Sequence, residues 1–441
     1  MSTALRAKWI FTGEGPPLRD AVIRFDHRAI RSVGKADGPA IDCGDAVILP
    51  GLVNAHTHLE FSQLSEPLLP AGAEFAAWIR RVVQWRREQQ AVVPGGEDWR
   101  ATAIAQGWRE ALQAGTTLLG EISTPPWQPD LYTVERLVHR GATSRLDEAD
   151  EGGSLSADAS RKRGLLFLEL LGFREERHAA LQQLTVAFLE DGQARQLVLE
   201  SGLSPHAPYT VAPRFLQWVA ETAQQHRRRL AMHLAESRAE LELLATSSGS
   251  LRQLLDDVQA WQPGQIATDS RPLDYLRSLA AAEHTLVVHG NYLDAAEIDF
   301  LGQHRDRFTV VYCPRTHHYF GHEKYPLARL LQAGARVALG TDSRASNPDL
   351  SLLSEMRRVA HAHPDVAPEA ILHMGTLAGA EALGYAASCG SLRPGKRADL
   401  IILPIEPKSS ADPYAIWLES CLPPRAVYQQ GVRVSPADPG S

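Results

Sequence analysis

Eight short apolar runs, each of strand length, recur along the middle of this 441-residue chain with helical patterns between them. They are LPGLVNAHTHL (49–59), TTLLGEI (116–122), GLLFLELLGF (164–173), ESGLSPHAPY (200–209), RLAMHLAES (229–237), TLVVHGNYL (285–293), FTVVYCPR (308–315) and RVALGTDS (336–343). Near-continuous hydrophobic runs suit strands buried on both faces, and the segments between them supply the covering helices. Those segments carry their own stop signals: Ala101–Gln113 runs into Ala114-Gly115 just before the second run, and Pro326–Gln332 into Ala333-Gly334. Pro213–Gln225 opens on a proline, as helices commonly do. Eight such units predict an α/β fold, a closed (β/α)8 TIM barrel, with an open parallel sheet as the alternative topology.

Both chain ends read differently. Ala21–Phe25, Ile30–Val33 and Val47–Leu49 are short β-rich runs between turns, and β character returns in SLRPGKRADLIILP and PRAVYQQGVRV. The first fifty residues are expected to form a small antiparallel sheet. The two ends together are expected to form a small β-sandwich domain, giving 1–52 and 388–441 to that domain and 53–387 to the barrel. Gly141–Arg163 is polar and free of aromatics, which reads as a mobile loop. Hydrophobic residues at 44% and charged residues at 22% give a globular chain, and a net charge of −7 argues against a nucleic-acid partner. No run approaches the ~20 apolar residues of a membrane span, and the N-terminus carries no leader pattern. With 4 Cys and no CxxC pair, a cytoplasmic location is expected. A homo-oligomer is compatible with a barrel of this size.

The chemistry gathers at the ends of the runs. His56 and His58 lie two apart in NAHTHLE, so on a strand both imidazoles face one side and can bind one metal. His361 and His363 share that spelling inside a helical pattern, where residues two apart diverge. His233, His289 and Asp342 end the fifth, sixth and eighth runs, where barrel active sites assemble, and Glu236 follows His233 by three. Nitrogen and oxygen donors without thiolate suit one divalent ion, Zn²⁺ first and Fe²⁺ second, in an open catalytic site.

PGLVNAHTH, SPHAPYTV, MHLAES, VVHGN and GTDSRASNPDLSLLSEM resemble the amidohydrolase superfamily, in the branch of cytosine, guanine and S-adenosylhomocysteine deaminases and triazine hydrolases. GSLRPGKRADLIIL resembles that family's return to its β-domain. The resemblance implies a hydrolase releasing ammonia from an aminated N-heterocycle, with triazine chlorohydrolase or cyclic-amide hydrolysis as the alternative. A non-catalytic metal-binding protein is the remote third reading; its expected mark, a missing ligand or proton shuttle, is absent. The resemblance assigns His56, His58, His233 and Asp342 to the metal, and His289 to the attacking water. Glu236 becomes the proton shuttle, Asp342 the proton acceptor and His206 a substrate contact. The fourth run has no Lys to bridge a second metal; Glu169 on the third is the one carboxylate that could bear on that count.

Loops after strands line the mouth of such a barrel, so the substrate is a small molecule met by these loops. Candidates are Phe61, Gln63, Trp78, Arg315, His318 and Arg344, with the planar fork of Arg315 suited to a carboxylate or phosphate. S-adenosylhomocysteine-type deaminases resemble one another in an LPxE segment that grips a ribose. Here the stretch reads IRRVVQWRRE, with Val83, Gln84 and Trp85 around the acidic position. A purine nucleoside with a different tail, such as aminodeoxyfutalosine, fits that departure.

Overall fold

The computed structural model describes residues 2–35, 37–92, 98–134, 136–137, 162–194, 197–407 and 410–434. The segment expected to be a loop, 141–163, lies outside the described residues except for Lys162 and Arg163, as does the tail from 435.

All eight apolar runs contribute strands to one parallel sheet. In chain order, after five strands near the N-terminus, these are β6 (Leu52–Thr57), β7 (Thr116–Ser123), β8 (Gly164–Leu170), β9 (Glu200–Pro205), β10 (Leu230–Leu234), β11 (Thr285–His289), β12 (Phe308–Tyr312) and β13 (Val337–Leu339). Each pairs with its sequence neighbours, so the order is β6 through β13 without a crossover, as a barrel requires. Closure falls between β13 and β6. There the ladder is short: Thr341 N and Asp342 N both donate to the His56 carbonyl, at 3.1 and 3.2 Å. Thr57 and Asp342 form an isolated parallel bridge, and Asn54 Nδ2 donates to Thr341 Oγ1 at 2.8 Å.

The barrel interior is a packed core drawn from seven of the eight strands, with Val53, Ala55, Ile122, Leu165, Phe167, Ala231, Val288, Val311 and Ala338 among its members. β9 gives Gly202 to this layer, and a Cβ there would lie 2.6 Å from the Phe167 ring. The helix Leu377–Leu383 adds Ala378, Ala380, Ala382 and Leu383 at the end where strands begin. Strand alternation carries the interior face of β8 from Leu165 and Phe167 to Glu169, and that of β10 from Ala231 to His233. Chemistry-bearing side chains therefore arrive at the C-terminal mouth by register alone.

The chain ends build a second sheet from β1 (Thr3–Ile10), β2 (Leu18–Phe25), β3 (Ile30–Lys35), β4 (Ile41–Asp42), β5 (Ala46–Pro50), β14 (Leu400–Pro404), β15 (Ala426–Gln429) and β16 (Val432–Arg433). It is mixed, which corrects the antiparallel expectation for the first fifty residues. β1–β2–β3 is an antiparallel meander, but β1 runs parallel to β4 and β5. β5 must run toward β6, and only Gly51 lies between them. Its orientation beside β1 is therefore set by the barrel. Gly51 N donates to the Asp399 carbonyl, and Gln429 Nε2 to the Thr117 carbonyl at 2.8 Å, tying the sheet to the barrel. All four cysteines are free. No helix among the described residues is long and apolar enough to cross a membrane.

Candidate metal centre and active site

Five side chains from four strand ends converge at the mouth: His56 on β6 and His58 just after it, His233 on β10, His289 closing β11, and Asp342 beyond β13. Their donor atoms fall into two overlapping groups, His56–His233–His289 and His56–His58–Asp342, each within 4.8 Å. His56 Nε2 and His58 Nε2 lie 3.9 and 4.0 Å from Asp342 Oδ1, and His58 Nε2 lies 3.4 Å from His233 Nε2. All five residues are between 1% and 8% exposed, so bulk water does not compensate them. His289 and Asp342 reach this position with φ of 69° and 56°, in the left-handed region that side chains rarely occupy. Such backbone costs on the order of 1–3 kcal/mol per residue and concentrates at functional sites.

The donor set fits a divalent cation. Burial first, then neighbouring imidazoles, holds His56, His58 and His289 well below the ordinary histidine range, and His233 at about 4. Neutral imidazoles keep the lone pairs a metal needs. His233 Nδ1 lies 3.0 Å from the His206 carbonyl, which takes the ring proton there and leaves Nε2 facing the cluster. His56 Nε2 is buried with no hydrogen-bond partner. An orphaned buried nitrogen facing another lone pair and a carboxylate is what a ligand shell looks like.

Glu236 stands beside this cluster, its Oε1 3.3 Å from His289 Nε2. Burial chiefly, then the charges of Asp342 and Glu240, raises its carboxyl well above the ordinary range. The turn that presents it is fixed from behind. Ala235, with φ 52°, and Glu236 both donate backbone N–H bonds to the Glu240 carboxylate, at 2.8 and 3.0 Å. Asn291 Nδ2 holds the Glu236 carbonyl at 2.8 Å. Asp342 is pushed up to about 7 by burial, against the hydrogen bonds of Ser346 and Thr316.

His206 follows β9 and lies against His233, with ring centroids 5.0 Å apart. Trp78 reaches the mouth from the helix Phe75–Val92; its Nε1 donates to the Ala345 carbonyl at 3.1 Å and its ring packs on Phe75 and Phe320. Phe61 is buried against Trp85, while Gln63 and His318 are exposed. The two arginines are spent elsewhere. Arg315 Nε bonds Glu355 Oε1 at 2.7 Å and its Nη2 bonds Asp349 Oδ1 at 2.7 Å. Arg344 bonds Glu110 Oε1 at 2.7 Å and the Leu64 carbonyl at 2.6 Å. Both guanidinium groups are paired within the protein. His361 and His363 belong to none of the metal-distance groups among the described residues.

Four polar residues near the site carry no motif and were not singled out in the sequence. Arg86, on the helix Phe75–Val92, bonds Glu60 and Thr124 Oγ1. Thr124 Oγ1 lies 2.8 Å from Glu60 Oε1 and 3.4 Å from Glu169 Oε2. Glu121 accepts the Leu59 N–H with both oxygens at 3.1 Å and so fixes the turn after His58. Of the four, Glu121 alone has a sequence signal of this kind, a charged residue inside the otherwise apolar strand TTLLGEI.

The amidohydrolase family model matches residues 47–420, spanning β5, the whole barrel and the start of the second terminal segment. The chain belongs to the amidohydrolase family. Among related proteins, this amidohydrolase is 28% identical over 381 residues to a 5-methylthioadenosine/S-adenosylhomocysteine deaminase of Syntrophobacter fumaroxidans, covering 82% of this chain and 73% of the relative. The aminofutalosine deaminase of Helicobacter pylori superposes with a TM-score of 0.73 at 23% identity, covering 98% of this chain and all of the other. An adenosine deaminase of Xanthomonas campestris with bound zinc superposes with a TM-score of 0.71 at 22% identity, over 98% and 92% of the two chains. At these identities the structural likenesses speak to the fold.

Proposed function

We propose that this amidohydrolase is a zinc-dependent hydrolytic deaminase that releases ammonia from an aminated N-heterocycle, with a purine nucleoside as its substrate class. The observation that carries the reading is Glu236. A buried carboxyl raised well above its ordinary range, 3.3 Å from His289 and beside metal-competent imidazoles, is placed to give a proton to a ring nitrogen. The deaminase relatives, two of them named for adenosine derivatives, support the choice of bond and substrate. The zinc in one of those structures supports the choice of metal.

In this reading His56, His58, His233 and Asp342 hold the metal and residues 53–387 form the catalytic domain. When bound, a divalent cation supplies Lewis acidity and brings the pKa of water from 15.7 toward about 7. The protein's own residues do the rest. His289 orients the nucleophile through Nε2, Asp342 accepts its proton, and Glu236 delivers a proton to the ring nitrogen next to the carbon under attack. Glu236, now a carboxylate, takes the remaining hydrogen of the attacking oxygen as the carbonyl forms and passes it to the departing amine, and the proton held by Asp342 then returns Glu236 to its starting state. The buried, low-dielectric setting strengthens each of these interactions.

The test is ammonia release by metal-loaded protein from adenosine derivatives, free purines, pyrimidines and amino-triazines, with halide release followed in parallel. Ammonia from an adenosine derivative is the expected result. Halide without ammonia would move the assignment to a chlorohydrolase, and silence across the panel with metal bound would overturn it.

A further inference from the structure

Glu169 is a buried carboxylate short of hydrogen-bond donors. It ends the interior face of β8, and its side chain is 2% exposed. The partners of its two oxygens are weak: Thr124 Oγ1 at 3.4 Å and His206 Nε2 at 3.9 Å. Thr124 has one hydroxyl hydrogen, and Glu60 at 2.8 Å competes for it. Burial raises the Glu169 carboxyl above its ordinary range; Arg86 opposes this from a distance, yet its hydrogen bonds go to Glu60 and Thr124, and its Nε is buried without a partner. Two carboxylates thus share one guanidinium.

His206 faces this carboxylate with the wrong polarity. Its Nδ1 lies 2.7 Å from Thr210 Oγ1, whose own hydrogen goes to the Ala207 carbonyl at 3.1 Å. The histidine therefore donates through Nδ1 and, being neutral, presents a bare lone pair at Nε2. Two acceptors meet across 3.9 Å with no donor between them, at the mouth and next to His233. The Glu169 side chain is buried and His206 beside it is 21% exposed, so the pair opens to the mouth, where a ligand that brings hydrogens would be favoured over none.

We propose that Glu169 and His206 Nε2 together accept a pair of hydrogen-bond donors from the substrate, and that this acceptor pair selects substrates carrying such a pair. Thr124 and Arg86 act as positioning residues for the carboxylate. The inference rests on the deaminase reading and sharpens its substrate class. The donor pair is either two vicinal hydroxyls of a sugar or adjacent N–H groups on a base edge. It also makes Glu169 a recognition residue, outside the metal shell.

The experiment compares kcat/KM for the best nucleoside substrate with its 2′-deoxy and 3′-deoxy counterparts, and with base analogues in which a ring N–H or a non-reacting amino group is replaced by C–H. Wild-type and Glu169→Gln proteins are assayed, with metal content measured for both. One analogue class is expected to lose about 10- to 100-fold in the wild type, the scale of a hydrogen bond to a charged acceptor. That gap should shrink severalfold or more in Glu169→Gln, while metal content is unchanged. Losses confined to the deoxy sugars identify hydroxyls as the donors, and losses confined to the base analogues identify N–H groups. Equal turnover of all analogues by the wild type overturns the proposal even if the variant does not fold. A gap that persists unchanged in Glu169→Gln, or metal lost from that variant, overturns it as well. No ammonia from any nucleoside or base would fell the deaminase reading first; undiscriminating deamination fells this proposal alone.

Discussion

In the proposed mechanism Glu236 moves protons from a position one residue's reach outside the metal ligands. The carboxyl belongs to neither metal-distance group, but Oε1 lies 3.3 Å from His289, which belongs to one. Glu236→Gln preserves shape and removes the titrating proton. We expect that variant to keep its metal and to lose about 10²- to 10⁴-fold in kcat, the usual contribution of a general acid–base. Steady-state kinetics with elemental analysis checks both halves, and wild-type-like turnover would remove Glu236 from the mechanism. This residue was legible in sequence, because strand register places His233 and the turn after β10 carries Glu236 to the mouth. The Arg86–Glu60–Glu169 group was not. Arg86 and Glu60 are 26 positions apart on a helix and a turn, and no periodicity relates them. The pairing of Arg315 has no local trace for a like reason: its partners Asp349 and Glu355 lie 34 and 40 residues on.

Among the elements, the strands were read from hydrophobicity alone, since eight runs buried on both faces leave few other arrangements. What sequence left open was pairing. The parallel placement of β1 beside β5 depends on where β5 must go next, a tertiary demand with no local trace. Close approach between strands leaves a clearer mark. Gly164 opens β8 with φ 139°, and a Cβ added there would run into the Leu119 carbonyl and backbone of β7. The Tyr385 hydroxyl bonds the Gly164 carbonyl at 3.2 Å, so the position is also fastened to the residues that close the barrel floor. Neither strand can shift without disturbing its ladder. Gly164→Ala is therefore expected to cost several kcal/mol, on the order of 3 or more, through combined strain and overlap. A midpoint of thermal unfolding within 2 °C or so of wild type would refute that account of the β7–β8 junction.

For the whole molecule, the metal centre and the closure of the barrel are one place. β13 and β6 are joined by few bonds: two N–H groups to the His56 carbonyl, the Thr57–Asp342 bridge and the Asn54–Thr341 contact. His56 and His58 stand on one side of that seam and Asp342 on the other. A cation shared between them would clamp a sparse ladder of the barrel, so occupancy should matter to more than chemistry. A ligand that binds only the native state adds stability by mass action, about 2.7 kcal/mol at one hundred times its dissociation constant. Chelation is thus expected to lower the unfolding midpoint by roughly 3 °C or more. The local consequence separates a clamp from a general effect. Hydrogen exchange with and without chelator should show lost protection concentrated in residues 52–58 and 337–343, with β8 and β9 on the opposite wall little changed. Loss spread evenly over all eight strands would mean that the metal stabilises the barrel only globally. Refilling with Zn²⁺ should then restore protection at the seam and activity at the mouth together, because the same five side chains govern both.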